Sequence, residues 1–422
     1  MERRTFLNIV LAAPALRFAV EQAARPAAAS TTAPQWTQWG GPNRNFQTLA
    51  TGLKDTWPAS GPPVIWKRPL GEGYSSAAVE SGVLYTMYGK PGQEVVTAIN
   101  AGTGATLWET TNPMRFQSDA PEMGNGPYST PLLAGDRIFT TGVAGRLQCL
   151  DKKTGKVVWQ DELWSTHRGS RLMYGYASSP IAYRDTVIVP VGGRGKSVMA
   201  FKQADGGVAW AANDFGNVYS SPLLIKVDGL EQLVLMIDGF IIGVHPLNGD
   251  LQWQVPFQAN YSIAVATPVA GADNLIFVSA EYDAGAKMIE LKREGDAIRA
   301  NELWSNIRLR LHHGNAMRIG DTIYFSSGGK GSQAILSAVD ARSGKIHWQE
   351  RSIQKATFVW ADNKLITLDQ DGNLMIAHPS PAGFKISATA PLLTNLSWSP
   401  PTLVGTKLYI RDRKSLMAVE LG

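Results

Sequence analysis

A tryptophan recurs along this chain at intervals of 42 to 51 residues, and in most copies a glycine lies four positions before it. The best copies follow the pattern Asn/Asp-x-x-Thr/Ser-Gly-x-x-x-Trp and end at Trp108, Trp159 and Trp348. Looser copies end at Trp66, Trp210, Trp253 and Trp304. A period in this range indicates one supersecondary unit that is repeated, as in a propeller or a solenoid.

The best-defined unit, residues 128–159, predicts four short strands separated by turns. Runs of apolar or alternating residues at 128–133, 137–141, 146–150 and 156–159 are the candidate strands. Gly155, in the last turn, supplies the positive φ that such tight turns need. Four antiparallel strands in 40 to 50 residues are typical of a propeller blade.

Eight such units can be placed between residues 63 and 422, and the last of them lacks its outer strand. Residues 63–70 form a strand with a tryptophan but have no unit of their own. We therefore predict that this segment completes the last blade, because ring closure removes unpaired strand edges. The sequence thus predicts an all-β fold, an eight-bladed β-propeller of four-stranded antiparallel blades closed by an N-terminal strand.

Composition excludes some classes of partner and linkage. The formal net charge of +5 is too small to indicate a nucleic-acid partner. A single cysteine excludes an internal disulfide. Cys149 occupies a small position that alanine or glycine fills in other units, so we expect a buried filler. We also expect a monomer.

The N-terminus indicates export. Arg3-Arg4, followed by Phe6-Leu7 and an apolar run, resembles a twin-arginine export signal. We predict a Tat-like signal at 1–30, a lead-in at 31–62 and the propeller at 63–422. The apolar run is too short for a permanent membrane span, and no lipobox cysteine is present. A periplasmic or secreted protein without a transmembrane anchor is expected.

The repeats at 151–159 and 340–348 resemble those of pyrroloquinoline-quinone (PQQ)-type β-propellers, and the resemblance covers most of residues 63–422. The segment 36–44 is similar to the start of exported bacterial PQQ-like propeller proteins. One branch of this family comprises eight-bladed quinoprotein alcohol dehydrogenases. The other is similar to the scaffold BamB, which binds proteins and no quinone.

The dehydrogenase branch implies features that we do not find in this sequence. Its members carry a vicinal disulfide against the quinone, which the single Cys149 cannot form, and a Glu/Asn/Asp set around calcium with an aspartate base. No stretch here matches those motifs, nor Gly-x-Ser-x-Gly, His-Glu-x-x-His or a Walker sequence. We expect no catalytic residue and no cofactor or metal, and PQQ and calcium belong only to the dehydrogenase alternative.

Basic residues concentrate in three predicted connections between blades, which the fold should bring to one face. These connections, 109–127, 160–175 and 305–313, supply Arg115, His167, Arg168, Arg171, Tyr174, Arg308, Arg310, His312 and His313. Such a cluster would favour a small anionic ligand or an acidic protein partner. The alternative is that these are ordinary solvated loops. The adjacent His312 and His313 should point to opposite faces of a strand and share no metal.

Aromatic or imidazole groups begin most of the predicted inner strands. They are Tyr74, Tyr128, Tyr176, Tyr219, Tyr261, His313, Trp360 and Trp398. Because inner strands line a propeller channel, these groups would either ring its mouth as a stacking surface or plug it as core. The segment 369–373 faintly resembles a calcium loop, but a plain turn is expected there.

Three functional hypotheses follow. The favoured one is an exported, non-catalytic binding or scaffold protein. The alternatives are a reduced quinone-dependent dehydrogenase and a sensor propeller for a small ligand or a sugar.

Overall fold

The structure is a computed structural model that describes residues 35–58, 60–120, 124–328 and 333–422. The predicted export signal at 1–30 lies outside the described residues. The described residues from 35 to 422 form one compact unit, which contains eight four-stranded antiparallel sheets. This confirms the predicted eight-bladed propeller. Among the described residues, no helix has the length and apolar character needed to cross a bilayer.

The strands follow one another around the ring in chain order. Blades one to four are β2–β5 (Ala78–Glu80, Val83–Lys90, Gln93–Asn100, Thr106–Pro113), β6–β9 (Leu132–Ala134, Arg137–Thr141, Arg146–Asp151, Val157–Glu162), β10–β13 (Ile181–Tyr183, Thr186–Pro190, Val198–Lys202, Val208–Ala212) and β14–β17 (Leu223–Val227, Leu230–Ile237, Phe240–Val244, Leu251–Pro256). Blades five to seven are β18–β21 (Val269–Ala270, Leu275–Ala280, Gly285–Glu294, Ala297–Asn306), β22–β25 (Met317–Ile319, Thr322–Ser327, Ile335–Asp340, Ile346–Glu350) and β26–β29 (Ala356–Ala361, Lys364–Asp369, Asn373–Ser380, Gly383–Pro391). A 3-10 helix at Asn260–Ser262 lies between blades four and five.

The eighth blade is completed by the N-terminal strand, as predicted. It consists of β30–β32 (Thr402–Val404, Lys407–Arg411, Ser415–Glu420) and, on its outer edge, β1 (Val64–Pro69). The register pairs Trp66 with Ala418, and the Glu420 N–H donates to the Pro63 carbonyl at 2.9 Å. The first and last strands of the propeller therefore close the ring by antiparallel pairing.

Most of the regularly spaced tryptophans pack on the turn of the next blade, whereas the Trp253 Nε1–H donates to the Gln232 side chain of its own blade at 3.1 Å. The Trp159 Nε1–H donates to the Gln203 carbonyl at 2.9 Å, and a Cβ added to Gly206 would lie 2.6 Å from the Trp159 ring. Gly206 also has a φ of 75°. The same contact joins Gly104 to Trp66 and Gly344 to Trp304. The glycine of the repeat is thus required twice, for its backbone conformation and for the ring of the preceding blade.

The third strand of most blades ends in a small residue followed by a bulky one, and the small residue lies opposite the tryptophan of the same blade. Ala98 pairs with Trp108 and Cys149 with Trp159, and a register shift follows at the next residue in both blades. Cys149 is fully buried, as expected of a filler, and burial raises the pKa of its thiol to about 12. A β-bulge at this point turns the outer strand and leaves room for the indole.

The lead-in segment closes one end of the channel. Trp36 exchanges two backbone hydrogen bonds of 2.8 Å with Val79 at the end of the first inner strand. Arg44, which is 4% exposed, donates to the carbonyls of Pro180 at 3.0 Å and Ser179 at 3.2 Å. Further along, the Lys54 N–H donates to the Leu421 carbonyl at 2.7 Å. The segment therefore spans the ring from the first blade to the last, at the ends of the inner strands.

Candidate functional site

The eight blades place one equivalent residue each at the start of the inner strand. These ring positions are Tyr74, Tyr128, Ala177, Tyr219, Val265, His313, Lys355 and Trp398. Small polar residues next to them join neighbouring blades. The Ser220 Oγ donates to the Ala266 carbonyl at 2.8 Å, and the Ser399 Oγ donates to the Tyr74 carbonyl at 2.7 Å. These hydrogen bonds fix the ring positions relative to one another.

Seven of these ring positions line a cavity of about 200 Å³, which we call the cup. Its floor is Trp39 of the lead-in, whose Nε1–H donates to the Thr267 hydroxyl at 2.8 Å. Residues on the connections between blades also line it, among them Ala120, Tyr174 and His312. The cup is thus closed by the lead-in and faces the side of the propeller that carries these connections.

Six rings form a continuous arc along the wall of the cup. In order they are Tyr128, Tyr74, Trp398, His313, His312 and Tyr282. Successive centroids are 5.9, 5.4, 4.2, 3.6 and 5.2 Å apart. The first four pairs have interplanar angles of 35° or less, so successive rings lie roughly parallel along the arc. These rings therefore present edges, which carry positive potential, to the cup.

The arc of aromatic rings is interrupted where two blades carry a small side chain at the ring position. Ala177 and Val265 lie on either side of Tyr219, and all three line the cup. Tyr219 packs against Tyr174, with centroids 6.0 Å apart, and its hydroxyl accepts a hydrogen bond from the Tyr174 N–H. The cup therefore owes its free volume to alanine and valine at positions where other blades carry a ring.

The wall of the cup is uncharged at neutral pH. Burial is the main cause that raises the pKa of Tyr74 and of Tyr219 to about 12, so both hydroxyls stay protonated. Burial, with a smaller contribution from Lys355, lowers the pKa of His312 to about 3. The same effects, together with His312, hold the pKa of His313 well below its ordinary value, so both imidazoles are neutral.

Two cations next to the cup, Lys355 and Arg310, are covered or paired. The Lys355 Nζ lies 5.1 Å from the centroid of Trp398, and burial lowers the pKa of this lysine to about 8 while Glu281 opposes the shift. Arg310 lies 3.8 Å from a Glu281 oxygen and 3.4 Å from an Asp283 oxygen. Burial raises the pKa of Glu281, and Arg310 counteracts this. None of these four groups lines the cup itself.

His312 and His313 lie side by side, which corrects the prediction that they point to opposite faces. Their ring centroids are 3.6 Å apart, because the two residues precede β22 in an irregular segment and do not alternate as in a strand. The Nδ1 atom of His312 is buried and has no hydrogen-bond partner among the described residues. Within that part of the chain, no group of three or more His, Cys, Asp or Glu residues could hold a metal ion.

Several predicted ring residues do line the cup, and others do not. The predicted ring residues that belong to its wall are Tyr74, Tyr128, Tyr219, His313 and Trp398, and Tyr174 and His312 of the predicted basic connections join them there. Tyr176 is fully buried and donates to the Pro190 carbonyl at 2.7 Å, so the ring position of that blade is Ala177. Trp360 lies on the lead-in side, where its N–H donates to the Phe46 carbonyl, and Lys355 takes its place. Tyr261 is 73% exposed, outside the cup.

These corrections have a signal in the sequence. The ring residue precedes two small residues, as in Ala177-Ser-Ser, Val265-Ala-Thr and Lys355-Ala-Thr, so alignment on that small pair selects these three positions. The nearby aromatic residues Tyr176, Tyr261 and Trp360 are therefore not the ring residues of their blades. Trp39 and Tyr282 carry no such signal, because one comes from the lead-in and the other from a turn between the second and third strands of blade five.

The predicted basic loop residues lie on connections from outer strands to the next inner strands. Arg115, Arg168 and Arg308 are exposed. His167 lies 2.9 Å from an Asp161 oxygen, and Arg171 lies over the Trp164 ring at 6.0 Å. Because carboxylates accompany His167 and Arg310, these loops do not form a uniformly positive patch.

The cup does not fit a quinone held with calcium. Drug-sized ligand pockets measure about 300–1,000 Å³, and the cup has a volume of about 200 Å³. Glu281, the neighbour of the lining residue Tyr282, is itself accompanied by Arg310, and the described residues offer no ligand cluster for an ion. The arrangement can enclose a small uncharged ring, and we derive no redox step from it.

Comparisons with known proteins agree with the fold and the repeat. A solved quinohemoprotein alcohol dehydrogenase from Comamonas testosteroni aligns with a TM-score of 0.66 at 12% identity, covering 92% of this chain and 81% of that chain. BamB from Moraxella catarrhalis aligns with a TM-score of 0.58 at 14% identity, covering 85% and 97%. At these identities both show the fold alone.

Sequence comparison is more specific. The outer membrane protein assembly factor BamB of Yersinia pestis is 23% identical over 324 residues, which are 72% of this chain and 78% of the relative. The profile of one protein family matches residues 91–350, more than half of the chain. The chain therefore belongs to the family described as outer membrane protein assembly factor BamB.

Proposed function

We propose that this protein is an exported, non-catalytic scaffold that holds a polypeptide at the open side of the propeller during the assembly of outer membrane proteins. The observation that carries the proposal is the shape of the channel. The lead-in closes it at one end, and an apolar cup lined by Tyr128, Tyr219 and Trp398 faces the other side. Family membership supports assembly of outer membrane proteins as the setting.

An unfolded outer membrane protein has the chemistry that such a cup accepts. Its strands alternate apolar and polar residues, and girdles of aromatic residues lie at both membrane interfaces. Apolar burial contributes about 25 cal/mol per Å² removed from water, so a small cup gives modest affinity that allows release. A scaffold needs binding of this kind and no reacting group.

Binding of an unfolded outer membrane polypeptide tests the proposal. The mature protein is mixed with a urea-unfolded outer membrane barrel protein diluted into buffer, and the complex is measured by fluorescence anisotropy and light scattering. We expect saturable binding and less aggregation. The matched control is an unfolded, water-soluble protein of equal length, which lacks the alternating apolar pattern.

Equal binding of both unfolded chains, or of neither, would contradict a role in outer membrane protein assembly. Stoichiometric retention of quinone with calcium, together with alcohol-dependent dye reduction, would favour the dehydrogenase alternative instead.

The proposal includes export through the Tat-like signal. Replacing Arg3 and Arg4 together by lysine keeps the charge but removes the paired arginines that define this signal. We expect the double variant to accumulate as precursor in the cytoplasm, measured by fractionation and the mass of the chain. Normal export of the variant would mean that another route is used.

A further inference from the structure

We propose that the cup is a binding site for one tyrosine or tryptophan side chain of a partner polypeptide, inserted ring first between the aromatic arc and Tyr219. The inference rests on the proposed function for the source of that side chain. It goes beyond it in naming the site and the residue types that are recognised.

The size of the cup selects a small ring system. A volume of about 200 Å³ lies below the range of about 300–1,000 Å³ that encloses a drug-sized ligand. One phenol or one indole fits this space, and a large multi-ring ligand does not. The two small ring positions, Ala177 and Val265, supply the free space beside Tyr219.

The electrostatics select an uncharged guest. The imidazoles and phenols of the wall are neutral, because burial shifts their pKa values away from neutrality. Arg310 is accompanied by Glu281 and Asp283, so it is not left to pair with a ligand. An uncharged side chain therefore loses no ion hydration on entry, whereas an ionised one would find no partner in the wall.

The geometry of the arc selects an aromatic guest. Tyr74, Trp398 and His313 stack on their neighbours and turn their edges towards the cup. Ring edges are positive and ring faces negative, so a guest ring packs favourably with its face against these edges. Such aromatic pairs are stabilised beyond what their buried area contributes. An aliphatic side chain gains only the stabilisation that comes from burying its apolar surface.

His312 favours a guest that carries a polar hydrogen. It is 6% exposed and lines the cup, and its Nδ1 has no hydrogen-bond partner among the described residues. A neutral imidazole has one nitrogen that accepts a hydrogen bond. Because Nδ1 is buried, the nitrogen that a guest can reach is Nε2, which in the tautomer protonated on Nδ1 accepts a hydrogen bond from a phenol O–H or an indole N–H. This distinguishes tyrosine and tryptophan from phenylalanine.

Calorimetric titration with capped amino acids tests the site directly. The probes are the N-acetyl amides of tryptophan, tyrosine, phenylalanine and leucine, which carry no charge. We expect the tryptophan and tyrosine probes to bind more tightly than the phenylalanine probe, and the leucine probe to bind least. A leucine probe that binds as well as the tryptophan probe would overturn the proposal.

Two variants report on the mechanism of recognition. Ala177→Tyr restores the residue that other blades carry at this ring position and fills the cup, so we expect the tryptophan probe to bind at least about tenfold more weakly. His312→Phe keeps a ring but removes the acceptor, which should weaken binding about threefold to tenfold. Leu247→Ala, at an exposed residue outside the cup, is the matched control and should bind as the parent does.

Polypeptide binding by the same variants separates the two proposals. If A177Y melts at the parent temperature yet binds the probe unchanged, the cup is not the site. If A177Y loses the probe but still binds the unfolded outer membrane protein, the scaffold stands and the cup does not serve it. A peptide with one central tryptophan should bind more tightly than the free probe, whereas preference for the free probe would indicate a small-molecule site and overturn the polypeptide source.

Discussion

The glycine of each repeat lies where two blades meet, and its role could be only half predicted. The turn itself requires a positive φ, which the pattern Thr/Ser-Gly indicates. The second requirement appears only in the structure, because the tryptophan that covers the glycine comes from the preceding blade. Gly206, for example, lies against Trp159, which is 47 positions earlier in the chain.

Substitution of this glycine should cost more than substitution of a turn glycine that has no neighbour. Gly206 and Gly295 have φ values of 75° and 68°, but only at Gly206 would an added Cβ meet a ring. The left-handed conformation costs an L-residue about 1–2 kcal/mol, and overpacking adds about 1–3 kcal/mol. We expect G206A to lower the free energy of unfolding by about 2–5 kcal/mol and G295A by about 1–2 kcal/mol.

Urea denaturation of the two variants measures the difference. Equal losses would mean that the backbone conformation alone explains the glycine, and that the indole moves aside without cost.

The histidine pair shows where residue-scale reasoning failed. Alternation along a strand would separate His312 and His313, but the chain is irregular there and stacks them. Local sequence does not specify that irregularity, because the neighbours that favour it, Tyr282 and Trp398, lie in other blades.

At the scale of the element, the strand patterns were predictable. Second and third strands such as β11 and β16 are buried along nearly their whole length and are mostly apolar, whereas outer strands such as β5 alternate between more and less exposed positions. A strand that is buried on both faces needs apolar residues throughout, and one that is buried on a single face needs them at alternate positions, whichever blade packs against it. The repeated unit could therefore be divided into strands without knowledge of the ring.

The lead-in is the element whose role the sequence did not indicate. It was predicted only as a segment before the propeller, yet Trp36 and Phe46 are 1% and 3% exposed, and Trp39 forms the floor of the cup. It has no strand periodicity because it pairs with the ends of inner strands through isolated contacts. Trp39 and Phe46 contact each other, but Trp36, Phe46 and Leu53 pack in a core with residues that are far away in sequence, so no local pattern could assign them.

At the scale of the whole molecule, the ring depends on the pairing of β1 with β32. Deleting residues 63–70 would leave the edge of β32 without its partner and remove Trp66, whose Nε1–H donates to the Ala101 carbonyl at 2.9 Å. Loss of a buried tryptophan alone costs about 3–5 kcal/mol. We expect the deletion to abolish the cooperative thermal transition or to cause aggregation.

Hydrogen exchange distinguishes loss of closure from general damage. In the single variant Trp66→Ala, amides of β32 should lose protection, while those of β16, on a distant blade, should keep theirs. Uniform loss across both strands would argue against a local role for β1 in closing the ring.

The sequence by itself determined the number of blades, their four-stranded form and their closure. The first two rest on a pattern that repeats along the chain, and closure rests on the outer strand that the last unit lacks. The tertiary structure decided the cup. Its wall takes one residue from almost every blade, and its floor comes from a segment outside the repeat. Whether a given aromatic residue lines the cup or packs in the core depends on a shift of one or a few positions, as between Tyr176 and Ala177. Only the register of the assembled ring fixes that shift, because the contacts that set it join residues far apart in sequence.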